Sequence, residues 1–237
     1  MDATDANPAG PRTEPAAPDG HNPPRVRLPI LLCGLILAYA GNLLPGLFRL
    51  IGLDLRLGPA GVLLWNWLAV GLLLVYVWRV EGLGPGSLRL VRPAGRDLNW
   101  AGWLGGAALL WHWLMAAFVV PPAGTSMESG TGTLVALGPL AALAVVVTVS
   151  VTEEILWRGY VVERLGAWIG LLPAAILGFA VFAAGHLPFF GPWWLLTVGP
   201  GAALLYVLLL WRRNLWACML AHLIGNIPIV FVALGHG

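Results

Sequence analysis

The sequence predicts an all-α integral membrane protein, a polytopic helical bundle of about seven transmembrane helices around a buried polar cavity. Three observations carry that prediction. Only 10% of the 237 residues are charged and 59% are hydrophobic, with a mean hydropathy of +0.82. A soluble domain carries about a quarter charged residues, so too few polar side chains remain to cover a water-facing surface. The apolar residues run in continuous stretches close to the roughly 20 residues that cross a hydrocarbon core, not in the alternation of a transmembrane barrel. Finally, the 13 basic residues are all arginine and are unevenly shared between the loops.

Residues 1–27 (MDATDANPAGPRTEPAAPDGHNPPRVR) are rich in Pro, Ala and Asp, without the basic-then-apolar order of a signal peptide. They read as a disordered tail, and 28–237 as one transmembrane domain. Spans are expected at about 28–51, 61–80, 100–120, 134–153, 171–190, 193–211 and 214–234. With a cytoplasmic N-terminus, Arg12, Arg25, Arg27, Arg79, Arg89, Arg92, Arg96, Arg158, Arg164, Arg212 and Arg213 fall inside, and only Arg49 and Arg56 outside. That bias orients the chain, and an odd number of spans puts the C-terminus outside. The loop 121–133 has no basic residue, as suits an external loop. Usage without lysine and rich in Ala, Gly, Leu and Pro is that of a GC-rich bacterial genome, so the expected location is a bacterial inner membrane.

Several features read as structural. Trp65, Trp67, Trp193, Trp194, Trp211 and Trp216 lie near span ends and suit interfacial belts. Cys33 and Cys218 sit in apolar stretches as small buried hydrophobes. Gly105-Gly106 and Gly199-Pro200-Gly201 mark close packing or a helix break.

Ionisable groups inside spans are costly, and each is a functional hypothesis. They are His112, Glu153, Glu154, His186 and His222, with Asn226 as an uncharged companion and Arg158 one turn beyond the carboxylates. Neighbouring helical residues point about 100° apart, so Glu153 and Glu154 cannot share a role. Glu154 and Arg158 are at i, i+4 and can pair, which leaves Glu153 without a local partner, as suits a general base. A turn centred near residue 169 or 170 would bring Glu153 level with His186 on the antiparallel neighbour. Arg158, Glu163 and Arg164 between them imply that this hairpin projects partly into the cytoplasm. His222 and Asn226, also at i, i+4, face one cavity from the last span. His112, between Trp111 and Trp113, reads as packing.

Glu153-Glu154-x-x-x-Arg158, Phe182-x-x-x-His186 and His222-x-x-x-Asn226 resemble, in order and spacing, the three motifs of the CPBP family, the CAAX proteases and bacteriocin-processing (Abi) proteins. The resemblance covers about residues 134–230. It implies an intramembrane endopeptidase in which Glu153 activates the hydrolytic water with help from His186. His222 and Asn226 would stabilise the oxyanion, and Glu154 and Arg158 would support them. No cofactor is expected: two His and a Glu are a conceivable Zn²⁺ set, but without a His-Glu-x-x-His arrangement the metal-free glutamic mechanism is favoured. The partners implied are the lipid bilayer and a peptide or protein substrate, with no nucleic acid.

Two other classes compete. A proton-coupled transporter would use the same Glu and His residues, and proton-coupled flux lost on Glu153→Gln would identify it. A non-catalytic immunity or scaffold protein would keep its function without Glu153, His186 and His222.

Overall fold

The computed structural model describes residues 24–53, 58–119, 136 and 138–235. The tail expected over 1–27 lies outside these residues up to 23, as does the loop 121–133. Residues 24–27 form no regular element, and Arg25 stacks its guanidinium 4.3 Å over the Trp168 ring, so this end of the tail is anchored.

All regular elements among the described residues are helical. They are α1 (Leu28–Leu50), α2 (Gly58–Arg79), a 3₁₀ turn (Pro85–Leu88), α3 (Gly95–Phe118), α4 (Pro139–Ile169), α5 (Leu171–Phe190), α6 (Trp193–Thr197), α7 (Gly199–Arg212), α8 (Leu215–Asn226) and α9 (Pro228–Gly235). Ala60–Arg79, α3, α4, α5 and the combined run Leu215–Gly235 are long and apolar enough to cross a membrane, while Leu28–Tyr39 and α7 are shorter apolar helices. These segments follow the order of the expected spans. The protein is a multi-pass membrane helical bundle.

Three spans differ from the hydropathy reading, the seventh dividing at Ile227 into α8 and α9. The sixth divides at Val198, because Pro200 and its flanking glycines begin a new helix instead of continuing the old one. The fourth does not stop at residue 153 but runs on to Ile169, as the hairpin reading required. Its middle, Glu154–Val162, is a π-helix, the form that recurs at functional sites and is normally confined to a single turn. All nine residues of that segment are buried. Within α4's most apolar window 56% of residues are buried, against 17–33% in the other long helices, so α4 is the central helix. α1, α2, α5, α8 and α9 all pack on it.

Gly170, with φ 87° and ψ 151°, turns the chain from α4 into α5, a conformation side-chain-bearing residues rarely adopt. Pairs equidistant from this turn meet across the hairpin: the Trp157 and Phe182 rings contact edge-on at 5.5 Å. The register is therefore the expected one.

The hairpin's charges, however, do not project into water. Arg158, Glu163 and Arg164 are fully buried. Glu163 Oε2 accepts from Arg89 Nε and Arg213 Nη2, each at 2.8 Å. Arg164 binds Glu81 Oε2 through Nε at 2.8 Å, and its other nitrogens reach Ser87 O and Oγ. Tyr160 donates to Glu81 Oε1 at 2.7 Å, and Arg212 holds Asp97 at 2.6 Å. Burial pushes the Arg213 guanidinium down from its ordinary value, and Glu163 opposes that. Arg89 and Arg213 are also the non-glycine residues in the left-handed region among those described (φ 60° and 52°), and both are held by Glu163. A loop folded back over the hairpin thus replaces water as the partner of its charges.

On the lipid-facing side, Trp103, Phe118, Leu140 and Phe189 are among many exposed large apolar side chains, as a membrane protein requires. Cys33 belongs to this exposed set rather than to the core, whereas Cys218 is buried as expected.

Candidate active site

The site is built where α4, α5 and α8 meet. At its floor Glu154 is fully buried, and its Oε1 accepts from Arg158 Nη1 at 2.9 Å and from His222 Nδ1 at 2.7 Å. The i, i+4 pair read from the sequence is present. Sequence alone did not reveal that the same oxygen holds His222, since only tertiary packing brings α8 onto α4. Arg158 is further fixed between two aromatic faces, 4.6 Å from the Phe182 centroid and 4.3 Å from that of Tyr206.

Glu153, the preceding residue, is half-buried and makes no hydrogen bond or ion pair among the described residues. The hairpin register sets it level with His186, but the two side chains are not directly bonded. His186 donates Nδ1–H to Phe182 O at 2.8 Å, which leaves Nε2 open as an acceptor in the neutral ring. Its imidazole is boxed by Phe182 (4.4 Å), Trp194 (4.7 Å, stacked) and Phe190 (6.0 Å, stacked). Trp194, expected as an interfacial anchor, is buried at 3% exposure and is instead a wall of this box. A sequence reading misses it because a Trp at a span end looks the same in either role.

His222 likewise presents Nδ1–H to its acceptor, and its side chain is 11% exposed. Asn226 ends α8 one turn further on, with no side-chain hydrogen bond among the described residues. His112, expected as packing, reaches the same region from α3 and places Nδ1 2.9 Å from Gly225 O. Glu154 Oε2, Arg158 Nε, Tyr206 Oη and His112 Nε2 are buried without a hydrogen-bond partner among the described residues. Buried polar atoms are as a rule paired with protein or water, so this centre is suited to taking up polar guests.

Residues 135–228 match the family described as type II CAAX prenyl endopeptidase Rce1-like. This segment is similar to the CAAX-protease family. It covers about two-fifths of the chain and contains every motif residue from Glu153 to Asn226. No curated protein and no solved structure matches the chain. The family supports a CAAX-type intramembrane peptidase in general. As for a metal, no three His, Cys, Asp or Glu among the described residues converge on one ion. Glu154 and Phe182 O hold the Nδ1–H groups of His222 and His186, so the Nε2 of each ring is the atom open to a further partner.

Proposed function

We propose that this protein is an intramembrane endopeptidase that hydrolyses a peptide bond of a membrane-presented peptide or protein. The observation that carries the reading is Glu153: a half-buried carboxylate without a partner, beside a Glu154–His222 pair and level with His186. With no protein donor on its oxygens among the described residues, the Glu153 carboxylate is open to accept a proton from a water molecule.

In this mechanism a water molecule between Glu153 and His186 loses a proton to Glu153 as its oxygen attacks the scissile carbonyl carbon. The carbonyl π bond opens to an oxyanion. Asn226 and His222 donate to that oxygen. Because His222 Nδ1–H is committed to Glu154 at 2.7 Å, Nε2 donates only when the ring carries a proton on both nitrogens. The proton held by Glu153 then passes to the leaving amide nitrogen as the C–N bond breaks. Water, acyl fragment and amine balance without a cofactor, and no step calls for Zn²⁺.

The substrate reaches the site from the membrane. Prenylated CAAX peptides are the substrate class that the family's name denotes. A chain of bacterial composition points instead to a proprotein, signal remnant or bacteriocin leader. The location proposed is the bacterial inner membrane with the N-terminus cytoplasmic.

The test compares the membrane peptidomes of cells carrying wild type and Glu153→Ala. New peptide ends that depend on Glu153 support the reading and name the substrate. Unchanged cleavage by a correctly inserted Glu153→Ala protein rejects it.

A further inference from the structure

His112 lies on α3, outside the matched segment, and the mechanism above gives it no task. Its surroundings do. α8 must end near Asn226, because Pro228 begins α9 and has no N–H to offer back along the helix. His112 reaches this end of the helix: its Nδ1 is 2.9 Å from Gly225 O. A carbonyl only accepts, so Nδ1 carries the proton and Nε2 is the lone-pair nitrogen of the neutral ring.

The ring is seated by small residues. A side chain at Gly201 would come within 3.2 Å of His112 Nε2 and of Ala108, and one at Gly225 within 3.5 Å of Ala108. On the same helix, Gly105 lies so close to Ala221 that a Cβ would fall 2.9 Å from its carbonyl oxygen. α3, α7 and α8 therefore approach at near-backbone distance, and His112 is the polar tie in that contact. Gly225 directly precedes Asn226 and lies three residues after His222. Holding its carbonyl fixes the last turn of α8, the turn that carries both groups.

We propose that His112 is a positioning residue that sets the oxyanion-binding turn of α8 through its Nδ1–H bond to Gly225. This rests on the proteolytic reading in assigning His222 and Asn226 that task, while the tie itself stands apart from it.

The experiment combines ¹⁵N-histidine NMR of the full-length protein in micelles with cleavage in native membranes, scored on the peptide ends that depend on Glu153. In the wild type, His112 should show the Nδ1–H tautomer; an Nε2–H tautomer overturns the proposal. His112→Asn places an amide N–H where Nδ1 stood, and should keep the His222 signals in place and cleavage within a few-fold of wild type. His112→Gln places its N–H at the Nε2 position, and should displace the His222 signals and lower cleavage about 100-fold, as expected for a group misplaced by roughly 1 Å. Both variants should melt at similar temperatures. Equal cleavage and unshifted His222 signals in Asn and Gln variants reject the positioning role, as does loss that tracks melting temperature alone. A wild type that cleaves nothing rejects the proteolytic reading, and the NMR comparison still decides the tie.

Discussion

Replacing Glu154 by Gln probes the floor of the site with little change of shape. Glu154 and Arg158 are both fully buried, and one oxygen of Glu154 accepts from Arg158 and His222 at 2.9 and 2.7 Å. Removing one member of a buried pair costs about 3–5 kcal/mol, because the remaining charge is left uncompensated. Gln keeps an acceptor where Oε1 stood, so Glu154→Gln should fall near the low end, about 3 kcal/mol, and Glu154→Ala near the high end. The Phe182 and Tyr206 faces keep Arg158 partly stabilised, at about 0.5–2 kcal/mol each, which is why Glu154→Gln should still insert and fold. Pairing Glu154→Leu with Arg158→Met removes both charges and should restore the stability, since apolar replacement of a buried pair is often neutral or better. Cleavage should remain lost in that double variant, because no carboxylate then holds His222 Nδ1 and orients its ring. Reversible unfolding in mixed micelles gives the stabilities, and the peptidome assay gives cleavage. Wild-type stability in Glu154→Gln, or recovered cleavage in the double variant, would refute the reasoning.

Other outcomes follow from the same structure. Asn226→Ala should slow cleavage about 10²–10³-fold with the fold intact, as for loss of one oxyanion donor; unchanged turnover would remove Asn226 from that role. Gly34→Ala should lower the melting temperature, because a Cβ there falls on the Tyr160 hydroxyl that binds Glu81. Gly71→Ala, which meets open space, should be neutral or slightly stabilising; equal destabilisation by both would contradict the packing described. Cleavage by purified protein should survive a strong zinc chelator, and inhibition reversed by added Zn²⁺ would overturn the metal-free mechanism. A C-terminal alkaline phosphatase fusion should be active and a C-terminal green fluorescent fusion dark; the opposite pattern inverts the assigned orientation.

Much of this was legible in the residues because lipid leaves so few choices. Apolar run length located the helices, and Gly170 with the i, i+4 spacing of Glu154 and Arg158 fixed the hairpin and its internal pair. What escaped depends on contacts between distant segments. The π-helix at Glu154–Val162 has no sequence pattern of its own. It lies in wholly buried chain, with Gly159 so near Leu215 and the Leu88 carbonyl that a Cβ there would push the Leu215 methyl aside. Arg164 and Glu163 looked solvated because their partners, Glu81 and Arg213, lie far away in sequence. The Glu154–His222 contact, the Trp194 wall and the His112 tie were hidden for the same reason.

The buried charges of the hairpin also bear on how the chain is assembled. A ribosome delivers Glu81 and Ser87 before Arg164, so that arginine meets its acceptors as soon as the hairpin emerges. Glu163 is different: Arg89 precedes it, but Arg213 arrives some fifty residues later. Until then the carboxylate has half its clasp, and Glu154 has not yet met His222. The last helices to be made therefore complete both the ionic clasp and the floor of the site, and a chain stalled before them would carry an unfinished centre. Biogenesis itself delays the chemistry until the molecule is whole.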